Sequence, residues 1–266
     1  MKKQLVVNAD DFGLRHSINS GIEDAIKCGI VRSVSFVVNT DEFDDSVKII
    51  KNCKNVGIGV HLNITDGKPV SGISGLDFLL NKNNAFTGSH IKALSRIFFH
   101  QNRLLSVKTE FKEQIKKLQD TGLKISHIDS HGHVHMFPCL FDIVTELAEE
   151  FKIKFIRIPK ENLYSDAYFF RWKSLILSRF SNSALLKIKQ KTLRCADNFS
   201  GITGVGNLTK EKLAGLLQKI DYGLTEIVVH PGMGQEELQA VTNREIMEQI
   251  KNNNIELVNF SQILID

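Results

Sequence analysis

The hydrophobic positions along this chain alternate between two periods. Leu5 to Ala9 is a short apolar run rich in β-branched residues, read as a buried strand that ends in Asp10-Asp11-Phe12-Gly13. Ile18, Ile22, Ala25 and Ile26 then recur at helical spacing, with Gly29 as the stop. Val34 to Val38 reads as a second strand, followed by a helix carrying Val47, Ile50 and Cys53. Gly57 to Leu62 reads as a third strand that delivers His61 near its end. The order β-α-β-α-β predicts a parallel sheet with helices outside it.

Residues 63–105 are less regular. Gly67, Pro69, Gly72 and Gly75 mark turns, Asn81 to Asn84 reads as an exposed loop, and loops of this length tend to form lids or binding elements. The rhythm then resumes. Ser106 is a candidate cap for a helix with Phe111, Ile115 and Leu118 on one face, and Lys124 to Asp129 is a fourth strand. A helix through Phe141, Val144, Leu147 and Ala148 leads to a fifth strand, Lys154 to Ile158. After a helical insertion around 160–205, Thr209 caps a helix carrying Leu213, Leu216, Leu217 and Ile220. Thr225 to Val229 is a sixth strand, Thr242 and Glu245 have capping-box spacing before a helix, and Ile255 to Val258 is a seventh strand.

The polar residues able to do chemistry fall at one kind of place. Asp10 and Asp11 follow strand one, and His61 ends strand three. Asp129 and His131 end strand four, Arg157 is late in strand five, and His230 follows strand six. In a β/α barrel the C-terminal strand ends converge on the face where active sites are built, and an open doubly wound sheet also gathers ligands there. The densest piece is His127 to Pro138, which holds four of the nine histidines. His127, Asp129, His131, His133 and His135 alternate, so full extension would aim all five at one face. Such a row is poor core material but good ligand material for zinc, iron, copper or nickel. Taken alone, Asp10-Asp11 fits a solvated turn or helix cap, His61 a hydrogen-bonded core histidine, and Arg157 a structural ion pair. Their common placement favours a metal enzyme. His133 and His135 are expected past the strand as packing or supporting groups, and His16, His90 and His100 at the surface.

Composition narrows the setting. The 266 residues, 42% apolar and 24% charged, fit one domain over 1–266 with a sizeable core. A net charge of +4 is too weak to imply a nucleic-acid partner. Cys28, Cys53, Cys139 and Cys195 form neither a zinc-finger spacing nor a disulfide framework. The N-terminal apolar run is too short for a signal peptide and no stretch approaches a membrane span, so a cytoplasmic location is expected, without membrane association. Arg171 to Arg194 holds seven Lys or Arg and no acidic residue, next to Phe169, Phe170 and Trp172. A packed helix with a solvated basic face is preferred there over a sugar-stacking lid or a helix lying on an anionic membrane.

Asn8-Ala9-Asp10-Asp11-Phe12-Gly13, Gly59-Val60-His61-Leu62-Asn63 and the His127-to-Pro138 stretch together resemble the YdjC-like carbohydrate deacetylases, which include chitooligosaccharide deacetylases. The resemblance is carried by the first 160 residues and again by His230-Pro231. It implies an irregular parallel (β/α) barrel, TIM-barrel-like, and removal of an acetyl group from an N-acetylated sugar. It implies Asp11, His61 and His131 as ligands of one divalent metal ion, zinc or magnesium. By analogy with the related polysaccharide deacetylases, Asp10 is the catalytic base, His230 the acid and Arg157 the arginine that orients the base. The expected partner is the acetylated sugar, and association with further copies of the chain is left open. Two other readings stand beside it. His127-x-Asp129 with distal His230 has the composition of an iron-oxygenase triad, although those enzymes use a β jelly roll. A sugar-binding barrel without catalysis is the other.

Overall fold

The computed structural model describes residues 2–98, 101–161, 171–202 and 205–263. Eight strands form one sheet: β1 (Lys3–Phe12), β2 (Ser33–Phe36), β3 (Gly57–Leu62), β4 (Ile125–Ser130), β5 (Phe155–Ile156), β6 (Asn198–Ser200), β7 (Gly223–Val229) and β8 (Ile255–Leu257). Seven of them run in the order β5-β4-β3-β2-β1-β7-β6, β8 pairs β1 off this path, and every pairing between these strands is parallel. The sheet curls into a partial barrel, and a bridge between Glu161 and Phe199 links the chain beyond β5 to β6. This is the parallel α/β sheet that the strand rhythm predicts, curled in the TIM-barrel-like way that the family resemblance implies.

β1 is the central strand. One edge pairs with β7 from Lys3 to Ala9. The other edge is shared, with β8 taking Lys3 to Leu5 and β2 taking Asn8 to Phe12. Such a strand is buried on both faces, which is why its sequence reads as an apolar run.

Alternation sorts the strand side chains into two populations. Leu5, Val7 and Ala9, with Val34, Phe36, Val60, Leu62, Ile227 and Val229, join the main apolar core with the surrounding helices. The opposite face starts as a small apolar floor of Val6, Phe155, Leu224, Val258 and Phe260. Above it the same face turns polar, with Asn8, Asp10, Ser35, His61, His127, Asp129 and Glu226 all buried. Gly59 faces this interior because a Cβ there would lie 2.2 Å from His127 Nε2.

The helices are α1 (His16–Cys28), α2 (Phe43–Lys51), α3 (His90–Phe98), α4 (Gln101–Gln119), α5 (Pro138–Glu150), α6 (Arg171–Gln190), α7 (Lys210–Leu217), α8 (Gln235–Val241), α9 (Arg244–Asn252) and α10 (Phe260–Ile263). Thr209 caps α7 as expected, accepting from the Lys212 amide. Several boundaries differ from the sequence reading. Ser106 lies inside α4 and not at its start, and Cys53 and Ile220 fall beyond their helices. Asn243, rather than Thr242, caps α9 by accepting from the Glu245 amide. β6 and α8 are additional elements; each is too short to show a period in sequence.

The basic segment is helical, as expected, from Arg171 to Gln190. Two of its charges are engaged: Lys187 pairs with Asp142 and Lys191 with Glu149, both on α5. Ala184 and Ile188 are buried, and Phe180 packs edge-on against Phe137. These contacts favour the packed helix over a membrane-lying one. Phe169, Phe170, His100 and Gly204 lie outside the described residues. Among the described residues no helix is long and apolar enough to cross a membrane.

Candidate active site

Asp10 and Asp11 are adjacent on β1, and in a regular strand their side chains would point to opposite faces. Asp11 instead has φ 67°, and the β1–β2 register breaks between Ala9 and Phe12. This local twist turns both carboxylates into the barrel mouth, and both are buried. Asp11 Oδ1 lies 2.7 Å from His131 Nδ1 and 3.4 Å from His61 Nε2. The ligand atoms of Asp11, His61 and His131 all lie within 4.8 Å of one another, so this buried cluster could hold a metal ion.

His61 is oriented for such a role. Its Nδ1 meets Asp129 Oδ1 at 2.7 Å, which leaves Nε2 aimed at Asp11. A carboxylate on the far nitrogen is the usual support of a metal-binding imidazole. Burial disfavours the charged ring, yet Asp129 and Asp10 outweigh it and lift the His61 pKa to about 10. The potential that holds a proton on His61 is the potential that attracts a cation. Burial likewise opposes ionisation of Asp11, but hydrogen bonds from His131 and His61 hold its carboxyl well below the usual range.

Asp10 has a different partner. Arg157, immediately after β5, is fully buried and grips Asp10 with two hydrogen bonds, Nη1 to Oδ2 at 2.7 Å and Nη2 to Oδ1 at 2.8 Å. Arg157 also reaches Asp129 Oδ2 at 2.5 Å and Glu226 Oε1 at 2.7 Å. Asn8 Nδ2 donates to Asp10 Oδ1 and to Ser35 Oγ, both at 2.8 Å. Asp10, His61 and Asp129 also present ligand atoms within 4.8 Å, but the guanidinium already contacts both carboxylates of that group. Burial pushes the Glu226 carboxyl up to about 7 even though Arg157 pulls it down.

His230 follows β7. It comes one residue after Val229, which pairs with Ala9 of β1. Its backbone amide donates to Glu237 Oε1 at 2.5 Å, and its Nδ1 lies 3.9 Å from the same oxygen.

The histidine row does not stay extended. β4 ends at Ser130, and Gly132 and His133 take φ values of 62° and 59° in the turn that follows. Only His131 of the row enters the cluster. His135 bonds Ser130 Oγ through Nδ1 and the Arg157 carbonyl through Nε2 at 2.9 Å, supporting both site segments. His133 packs edge-on to Phe199. His127 lies deeper, beside Ser35, Ser126 and Phe260. That placement removes it from an iron triad, and the parallel barrel is not a jelly roll. His90 corrects its surface assignment: it is partly buried, its ring centroid is 5.1 Å from that of His131, and a Cβ on Gly132 would strike it. His16 is exposed, as expected.

Sequence reasoning missed Asn8, Ser35, Asp66, Glu226 and Glu237. Glu226 had a readable signal, since it is a lone acid inside the apolar run from Leu224 to Val229. Asp66 had none; it lies in the irregular stretch after β3. There it lines a cleft of about 540 Å³ built from the loops after β1, β2 and β3, with Arg15, Asn39, Asp41 and Lys68 among its walls.

Burial imposes a pH response on the metal-free protein. It drives the pKa of His127 down to about 3 and that of His135 to about 4, and holds His133 well below its ordinary value of 6.5. The folded state therefore binds fewer protons than the unfolded chain below pH 6.5, and stability falls as pH falls. Between pH 6 and 5 each of these histidines costs on the order of 1 kcal/mol. Glu226 and Glu237, whose folded pKa values are raised, gain stability as pH falls and offset part of that cost. His61 is protonated in the folded state and mostly protonated in the unfolded chain there, so it adds little. The net expectation is a loss on the order of 2 kcal/mol, read from urea midpoints at the two pH values. An unchanged midpoint would mean that the row is not neutral in the fold.

A curled parallel barrel with an Asp-His-His cluster and an arginine-gripped aspartate at its C-terminal edge defines an α/β-barrel protein with a site able to bind a metal ion. The chain belongs to the YdjC-like protein family, whose model matches residues 4–257. It is 28% identical to a carbohydrate deacetylase of Thermoanaerobacter pseudethanolicus, covering 97% of this chain and 98% of that one. It is 33% identical to a chitooligosaccharide deacetylase of Escherichia fergusonii over 63% of this chain and 64% of that one. A crystal structure of an Enterococcus faecalis V583 protein matches with a TM-score of 0.78 at 22% identity over 99% of both chains, a likeness of fold.

Proposed function

We propose that this protein is a metal-dependent carbohydrate N-deacetylase that hydrolyses the acetamide of an N-acetylated sugar such as an N-acetylglucosamine oligomer. The observation that carries the reading is the pair of adjacent carboxylates turned to one face. Asp11 joins His61 and His131, while Asp10 is held apart by Arg157. Relatives named carbohydrate deacetylase supply the substrate class. The cleft beside the cluster offers room and polar walls for a sugar.

The donor set of Asp11, His61 and His131 fits one divalent ion, and two imidazoles favour zinc over magnesium, which prefers oxygen ligands. When bound, such an ion supplies Lewis-acid activation of water and of the acetyl carbonyl. Asp10 accepts the proton of the attacking water, its carboxylate fixed by Arg157 and Asn8. His230 gives a proton to the nitrogen as the carbon–nitrogen bond breaks, leaving acetate and a free sugar amine. Glu237 holds the segment that carries His230.

The test is acetate release from N-acetylated sugars by protein loaded with zinc, with magnesium, or stripped by chelator. Zinc-loaded protein is expected to release acetate and stripped protein to be inactive. No acetate from any such sugar with either metal would overturn the proposal, and sugar binding without hydrolysis would point to a non-catalytic barrel.

A further inference from the structure

We infer that Asp66 is a positioning residue of the metal centre, the carboxylate partner of His131. The inference rests on the metal-centre reading above and extends it to a residue outside the ligand set.

The two histidines of the cluster are built alike. His61 presents Nε2 to Asp11 and turns its other nitrogen to Asp129 at 2.7 Å. His131 presents Nδ1 to Asp11 at 2.7 Å, and its other nitrogen, Nε2, faces Asp66 Oδ2 at 3.6 Å. Each imidazole therefore lies between the shared aspartate and a second carboxylate. A carboxylate on the far nitrogen fixes the tautomer and rotation of a metal-binding ring and raises its basicity. Asp129 does this from the buried floor of the site. Asp66 faces the second ring from the rim, where its side chain is 34% exposed.

The backbone that carries Asp66 is held by groups other than its carboxylate. Asn63 Oδ1 accepts from the amides of Thr65 and Asp66 at 2.9 and 3.1 Å. Asn63 Nδ2 and Asn39 Nδ2 donate to the Asp66 carbonyl at 3.0 and 2.7 Å. Gly67 follows with φ 73°, and a Cβ there would lie 2.2 Å from the Asn39 carbonyl oxygen. Gln114, buried on α4, clamps Asn63 from behind by accepting from its amide and donating to its carbonyl. The loop is a rigid mount, and the carboxylate is what it displays. Thr65 Oγ1 donates to the same Oδ2 that faces His131, which sets the rotation of the carboxylate. Because Asp66 also lines the cleft, whatever occupies the cleft meets the residue that steers His131.

The experiment measures zinc affinity directly, by competition with a chromophoric chelator, in the unsubstituted protein and in Asp66→Asn, Asp66→Glu and Asp129→Asn. Asp66→Asn is expected to bind zinc about 10–100-fold more weakly while its metal-free melting temperature stays unchanged. Asp66→Glu, which keeps the charge, is expected to recover part of that affinity. Asp66→Asn binding zinc as tightly as the unsubstituted protein, with Asp129→Asn weakened, would overturn the role of Asp66 and leave the metal centre standing. Failure of the unsubstituted protein to bind zinc would overturn both.

Discussion

Asp10→Asn is expected to lower kcat for acetate release by about 10²–10⁴-fold while the protein still binds its metal. The substitution nearly preserves volume, so the barrel mouth keeps its packing. What changes is proton chemistry: an amide oxygen is a far weaker base than a carboxylate. The geometry deepens the loss, because the bidentate grip of Arg157 needs two acceptor oxygens and Asn has one. Asn8 Nδ2, which now donates to Asp10 Oδ1, would also face an NH₂ group in one of the two amide orientations. Metal content should stay near that of the unsubstituted protein, since Asp11, His61 and His131 are untouched. His131→Ala is the contrast and should lose metal together with activity. Full turnover by Asp10→Asn would remove Asp10 from the role of base.

Arg157→Met should be the most damaging single change to stability, with an expected loss of about 3–5 kcal/mol. Arg157 is fully buried and contacts Asp10, Asp129 and Glu226, so its removal takes a shared counter-charge from three buried carboxylates and leaves Asp129 with His61 alone. Its own proton is secure: burial opposes the charge, but those three acids raise its pKa well above the ordinary value. Burial has already pushed the Glu226 carboxyl up to about 7. Adding Glu226→Gln to Arg157→Met should therefore recover part of the loss, whereas Glu226→Gln alone should change little. Urea unfolding midpoints of the single and double variants measure both statements. An Arg157→Met midpoint equal to that of the unsubstituted protein would mean that water reaches and screens the cluster.

The strands that position this site were readable because each is an apolar run ending in a polar residue. Five of the six expected site residues, Asp10, Asp11, His61, His131 and Arg157, are joined in one network through Asp129. What sequence could not show was how two neighbouring aspartates face one way, since that depends on a single dihedral at Asp11. The same limit applied to the histidine row, where alternation predicts a shared face only if the backbone stays extended. Two left-handed residues, Gly132 and His133, end that. The supporting groups were hidden for a further reason. Ser35 acts across the barrel from β2, and Glu226, although readable as a lone acid in an apolar run, finds its partner on a strand far away in the chain, which no local pattern reports. Asp66 and His90 come from the irregular stretch where periodicity carries no information.

The shared edge of β1 also sets a timetable for synthesis. As the chain emerges from a ribosome, the strand carrying Asp10 and Asp11 can pair early with β2 along Asn8 to Phe12. Its remaining neighbours, β7 and β8, arrive only with residues 223–257. Until then one flank of the strand stays unpaired, and an uncovered strand edge invites association with other chains. Nascent chains of this protein are expected to depend on chaperones until β8 docks against Lys3 to Leu5. The strand that begins the barrel is the last to be finished.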